Sequence, residues 1–153
     1  MLYNNKIAFV IHGMGMGGAE KFLISVIHHF YNNGYEPVLI ILSKEKILIS
    51  ELNSRVKTIT ILKKSRLDLT ISKRIRAVIE AEEIKTIFCI NTYAFFLTKL
   101  SFFFDSSRQF YLSLHSTLPG TRKVYWQNMA YFRLVSNNDQ VIYLCNNQKK
   151  YLK

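Results

Sequence analysis

Residues 7–23 read IAFVIHGMGMGGAEKFL: an apolar run, Ile7-Ala8-Phe9-Val10-Ile11, then a turn holding four of the chain's six glycines between Gly13 and Gly18. The run is short and of strand type. Behind the glycines, Ala19, Phe22, Leu23, Val26, Ile27 and Phe30 recur at steps of three and four, an apolar stripe on a helix. Glu20 falls in its first turn, where the helix dipole favours an acid. Gly34 is placed to end it. The glycines are open to three readings: a phosphate cradle, a close packing point between backbone segments, or a flexible turn.

Working outward, Val38–Leu42 (VLIIL) is a continuous apolar run, as in a strand buried on both faces of a parallel sheet. Val56–Leu62 alternates and reads as a third strand. Asp68 or Thr70 can cap a helix carrying Ile71, Ile75, Val78 and Ile79 on one face. Thr86–Ile90 is a fourth strand, Ala94–Phe104 (AFFLTKLSFFF) a very apolar helix, and Phe110–Leu114 a fifth strand. After Pro119-Gly120 a helix is predicted over residues 121–135. Val141–Leu144 is a sixth strand, and Asn146 can cap a last helix. Strands alternating with helices imply right-handed crossovers. The predicted fold is α/β: a single Rossmann-like three-layer domain over residues 1–153, with a mostly parallel sheet of about six strands.

A chain of 153 residues can bury a core of its own, and 49% apolar with 20% charged residues excludes a disordered chain. Lysine and arginine outnumber acids 21 to 10, a net charge of +11, which favours anionic partners. Lys63, Lys64, Arg66, Lys73, Arg74 and Arg76 form one cluster, with only Asp68 against it. Cys89 and Cys145 each sit in an apolar run with no CxxC, so they read as buried free thiols in a reducing compartment. The start, MLYNNK, lacks the features of a signal peptide, and no apolar stretch is long enough to span a membrane. The expected location is cytoplasmic.

In such a sheet, ligands bind beyond the carboxyl ends of the strands, at the switch point beside the first strand. The glycine turn is expected there, and the helix behind it presents free N–H groups suited to phosphate. Gly13, Gly15 and Gly18 match GxGxxG, the dinucleotide fingerprint. The second strand ends Ile41-Leu42-Ser43, however, without the acid that holds the ribose; the nearest are Glu36, at its start, and Glu45, beyond Lys44. An NAD(P)-binding oxidoreductase domain is therefore the alternative reading. Acids and histidines do not cluster at metal-ligand spacing.

The apolar strand, the glycine turn and Gly17-Gly18-Ala19-Glu20 opening an amphipathic helix resemble the N-terminal domain of family 4 glycosyltransferases, which have the GT-B fold. The strand Phe110–Leu114 ending in His115, and Val141–Leu144 leading into Cys145-Asn146 and a short helix, continue the likeness. It implies half of a GT-B fold: an acceptor-side domain, incomplete at its C-terminus, with the donor-binding domain absent and the isolated chain inactive. The implied reaction moves a sugar from a nucleoside diphosphate sugar to a saccharide or lipid-linked acceptor, with retention at the anomeric carbon, in the setting of surface polysaccharide synthesis. Gly15, Gly17 and Gly18 would face the diphosphate and His115 the reacting sugar. His12, Asn91, Ser116 and Thr117 would meet the acceptor. No cofactor or metal is called for beyond the donor.

Two partners besides the acceptor follow, and nucleic acid is not among them. The first is a separate donor-binding domain or chain, which would make this protein a non-catalytic acceptor half. The second is an anionic membrane surface at the inner face of the membrane, met by the basic cluster and the Phe-rich helix. Nucleic acid is motivated by charge alone, with no RNA or DNA motif.

Overall fold

The structure is a computed structural model that describes residues 5–65, 68, 70–115 and 121–151. Six strands form one sheet: β1 (Lys6–Ile11), β2 (Glu36–Ile41), β3 (Lys57–Thr60), β4 (Thr86–Ile90), β5 (Gln109–Leu114) and β6 (Gln140–Tyr143). Every pairing is parallel and the order is β3-β2-β1-β4-β5-β6. The most apolar run, β1, lies in the middle, with Phe9 beside Leu39 on one flank and Phe88 on the other.

Side chains alternate across a strand, so each strand feeds two cores. On one face Phe9, Ile11, Leu39 and Ile41 meet Leu23 and Ile27 of α1 (Gly18–Asn32), with Leu48 from a 3-10 turn, Ile47–Glu51. On the other, Val10, Ile40 and Leu112 meet Ile75 and Ile79 of α2 (Thr70–Ala81) and Phe95 of α3 (Thr92–Ser101). The fourth helix, α4 (Arg122–Phe132), packs beside α3, where Phe96 stacks on Tyr131 at 4.3 Å. A short α5 (Asn146–Tyr151) follows β6. The right-handed crossover sets this division. Connections from β1 out to β3 cover one face; those returning from β3 to β6 cover the other.

Four expectations change in detail. The Phe-rich helix stops at Ser101. Phe102 leaves it, buries against Phe110 and lies under the Arg76 and Arg108 guanidinium groups. Phe103 and Phe104 are 58% and 98% exposed. Arg74 and Arg76 of the basic cluster bond inward, Arg74 to Asp68 and the Leu62 carbonyl, Arg76 to Glu80 and the Ser101 carbonyl; Arg66 lies outside the described residues. Asn146 is the first residue of α5. The amides ahead of it, on Leu144 and Cys145, donate to the Gln148 side chain, which in turn donates to the Leu114 carbonyl. Cys145 is exposed, whereas Cys89 is buried, and burial pushes its thiol up to about 12.

No helix among the described residues is long and apolar enough to cross a membrane. The inner Phe and the outer one make a direct comparison. Phe110→Ala should cost about 3–5 kcal/mol, a fall in melting temperature of roughly 10 °C. Phe104→Ala should leave the melting temperature unchanged.

Candidate functional site

The order reverses at β1: its chain connection leads outward to β2, while its other neighbour, β4, is reached only after β3. Loops leaving the carboxyl ends of β1 and β4 therefore part, and a crevice opens between them. Three of the predicted side chains sit at the ends of neighbouring strands. His12 follows β1, Asn91 follows β4 and His115 follows β5. Ser116 and Thr117 lie outside the described residues.

The glycine turn has two parts with different reasons for glycine. A Cβ on Gly13 would sit 2.7 Å from Ser43 Oγ, and one on Gly15 would sit 2.7 Å from Glu45 Oε1. Both glycines are buried, and the Met14 amide donates to the Glu45 carbonyl at 2.8 Å. Here glycine permits a close approach between two loops. A Cβ on Gly17 would meet the Glu20 carboxylate, whereas one on Gly18 would meet nothing within 4 Å. Gly18 is the first residue of α1, and Gly17 supplies no side chain to cap it. The N-terminus of α1 is thus left with unsatisfied amides and an open approach at Gly18.

His115 is half-buried, its ring 5.1 Å from that of Phe22 on α1. Its Nε2 lies 3.0 Å from Ser113 Oγ, a hydroxyl almost wholly buried in β5. Burial lowers the His115 pKa from its ordinary value of 6.5, and the charge of Glu20 opposes that fall. A neutral imidazole held through one nitrogen keeps the other for hydrogen bonding to a ligand.

Asn91 adopts φ 90°, ψ 160°, a conformation normally reserved for glycine. The surroundings impose it. Its amide donates to the Ser113 carbonyl, and its Oδ1 accepts from the Ala94 amide at 2.9 Å, capping α3. Thr92 Oγ1 then donates to Asn128 Oδ1 of α4 at 2.7 Å. The first turn of α3 is consequently locked from both sides. Tyr93, in that turn, has the His12 ring edge-on at 5.4 Å and Lys63 Nζ 4.6 Å from its ring centroid. Sequence reasoning missed Ser113, Tyr93, Lys63 and the position of Glu45. Tyr93, Lys63 and Glu45 matter through contacts with residues distant in sequence, which periodicity does not report, and Ser113 matters through a hydrogen bond to His115 two residues on. No group of three possible metal ligands occurs among the described residues.

No protein-family profile matches the chain, and no curated protein matches it in sequence. Solved structures share its fold. Anabaena Alr3699/HepE in complex with UDP superposes with a TM-score of 0.76 over 96% of this chain and 40% of its own, at 15% identity. The same protein with UDP and glucose gives 0.64 over 90% and 44%, at 14% identity. The apo form of the lipopolysaccharide outer core galactosyltransferase WaaB gives 0.64 over 96% and 41%, at 16% identity. The chain therefore spans about 40% of the length of these proteins, and it has the α/β fold of one part of each.

The lowered His115 pKa means that the folded state prefers the neutral ring. Its contribution to stability is complete above the unfolded value and is lost as pH falls through the lowered one. Relative to His115→Gln, the wild-type protein should lose melting temperature on acidification below 6.5. A constant difference between the two proteins would contradict this environment.

Proposed function

We propose that this chain is the acceptor-side half of a retaining glycosyltransferase of family 4 type, acting on a nucleoside diphosphate sugar. The observation that carries the reading is the open N-terminus of α1 at Gly18, facing the switch-point crevice. It lies in a fold shared with one protein bound to UDP and with a galactosyltransferase. The bond between the anomeric carbon and the diphosphate oxygen breaks, and the departing diphosphate takes the electron pair. The acceptor hydroxyl oxygen forms the new bond to the same carbon and gives its proton to the diphosphate. Amides at Gly17 and Gly18 are fixed dipoles that stabilise the growing negative charge without reorganising. His115, neutral and oriented, hydrogen-bonds the sugar being transferred. Gly15 acts one step back: its fit against Glu45 sets the shape of the loop.

In this reading His12 and Asn91 border the acceptor, with Ser116 and Thr117 next in the chain. Asn91 does so through its side-chain Nδ2, since its side-chain oxygen caps α3 and its backbone amide and carbonyl bond to Ser113 and Phe95. The acceptor is a saccharide or a lipid-linked saccharide, in the cytoplasm or at the inner face of the membrane. The donor-binding half belongs to a second domain or a separate chain. Exposed Phe103 and Phe104 favour the membrane contact, although they project from the α3 terminus rather than as a helical face.

One observation favours the dinucleotide reading. Glu45, which follows the second strand, reaches back over Gly13 and Gly15, close to where a ribose-binding acid belongs. Thermal shift separates the two. UDP-glucose and UDP should raise the melting temperature of the wild-type chain at millimolar concentration, and NAD should not. A half-site of this kind is expected to bind with a Kd of about 1 mM, near −4 kcal/mol. Stabilisation by NAD alone would replace the transferase reading with the oxidoreductase one.

A further inference from the structure

Lys63, Tyr93 and His12 come from three separate segments: the loop after β3, the first turn of α3 and the end of β1. They meet at the carboxyl edge of the sheet, where the residue after β1 faces the first turn after β4. We propose that they form an anion subsite, and that the acceptor carries a phosphate or carboxylate group seated there. This rests on the acceptor-side reading above and gives the acceptor its chemical class.

The charge is uncompensated. Among the described residues no carboxylate reaches Lys63, whose one recorded contact is the Tyr93 ring. Asp68, the acid on its own loop, is consumed by the Lys64 amide, by Thr70 and by Arg74. Those bonds hold its pKa down to about 2, with the Lys64 amide contributing most. An ammonium over an aromatic face and without a counter-ion is ready for an anion.

Tyr93 supplies the second observation. Its hydroxyl is buried and has no hydrogen-bond partner, which costs stability in the free protein. An anionic oxygen brought in by Lys63 and His12 offers an acceptor to that donor.

The class is anionic rather than neutral for a geometric reason. Sugars commonly use an aromatic face for stacking, but here Lys63 already occupies a face of Tyr93 and His12 meets the ring edge-on. What remains is positive charge and hydrogen-bond donors. Phosphate and carboxylate both suit that set.

NMR titration of the 153-residue chain at low ionic strength tests the subsite with four probes: glucose 1-phosphate, glucuronic acid, glucose and UDP. At least one of the two acids should shift the Lys63, Tyr93 and His12 signals, and glucose should not; which acid does so identifies the source of the charge. Lys63→Met should weaken that binding at least fivefold. Lys85→Met, a basic residue leading into β4 at the opposite end of the strands, should leave it unchanged. Tyr93→Phe should weaken binding severalfold while holding or raising the melting temperature, since it removes an unsatisfied hydroxyl. Equal affinity in the wild-type and Lys63→Met proteins, or acids no more effective than glucose at these signals, overturns the proposal. The UDP probe reads Gly17 and Gly18 separately. Its failure alone would strike the donor reading and leave the anion subsite standing.

Discussion

Placing β1 between two parallel neighbours, buried on both faces, is the constraint from which the rest of the molecule follows. Phe9, Val10 and Ile11 are inaccessible to solvent or nearly so, and they belong alternately to the two cores. With β1 fixed in the centre, right-handed connections can run only outward over one face and back over the other. The loops after β1 and β4 are then driven apart. The crevice is thus a product of topology before any ligand-binding residue is considered, and His12, Asn91 and His115 stand on its rim.

That rim is rigid where chemistry needs precision. Asn91 holds a conformation costly for any residue but glycine, and it is kept there by bonds to Ser113 and Ala94. The same stretch of β5 anchors His115 through the Ser113 hydroxyl. Gln148 reaches across from α5 to the Leu114 carbonyl, one residue before His115. Three neighbouring strand ends are therefore knitted together by side chains that are mostly buried. The flexible charges, Glu20 and Glu45, lie at the glycine turn instead, where their far ends can move aside for a ligand.

Much of this fold was legible because it is written in local pattern. The bounds of β4 match the apolar run Thr86–Ile90, and Gly34, at φ 83°, lies just beyond α1 as its position implied. Failures came where pattern and partner separate. Phe102, Phe103 and Phe104 look alike in sequence, yet only Phe102 finds a slot, against Phe110. The 3-10 turn at Ile47–Glu51 was hidden in what reads as a loop, its one buried side chain, Leu48, serving the α1 face. The placement of His12, Asn91 and His115 just beyond strands was legible because strand ends are predictable. The pairing of Lys63 with Tyr93 was not, since it joins residues thirty positions apart. The glycines illustrate both outcomes: position marked the turn, but only coordinates separate Gly13 and Gly15, which allow loops to touch, from Gly18, which faces open space.

The central claim is that the free amides at the start of α1 receive the diphosphate of a nucleotide sugar. Amide hydrogen exchange measured residue by residue, with and without saturating UDP-glucose, tests it most directly. Exchange at Gly17, Gly18 and Ala19 should slow severalfold on binding, while the amides of β6 and α4 keep their rates. Unchanged rates at those three positions, under conditions where UDP-glucose is bound elsewhere on the chain, would contradict the account.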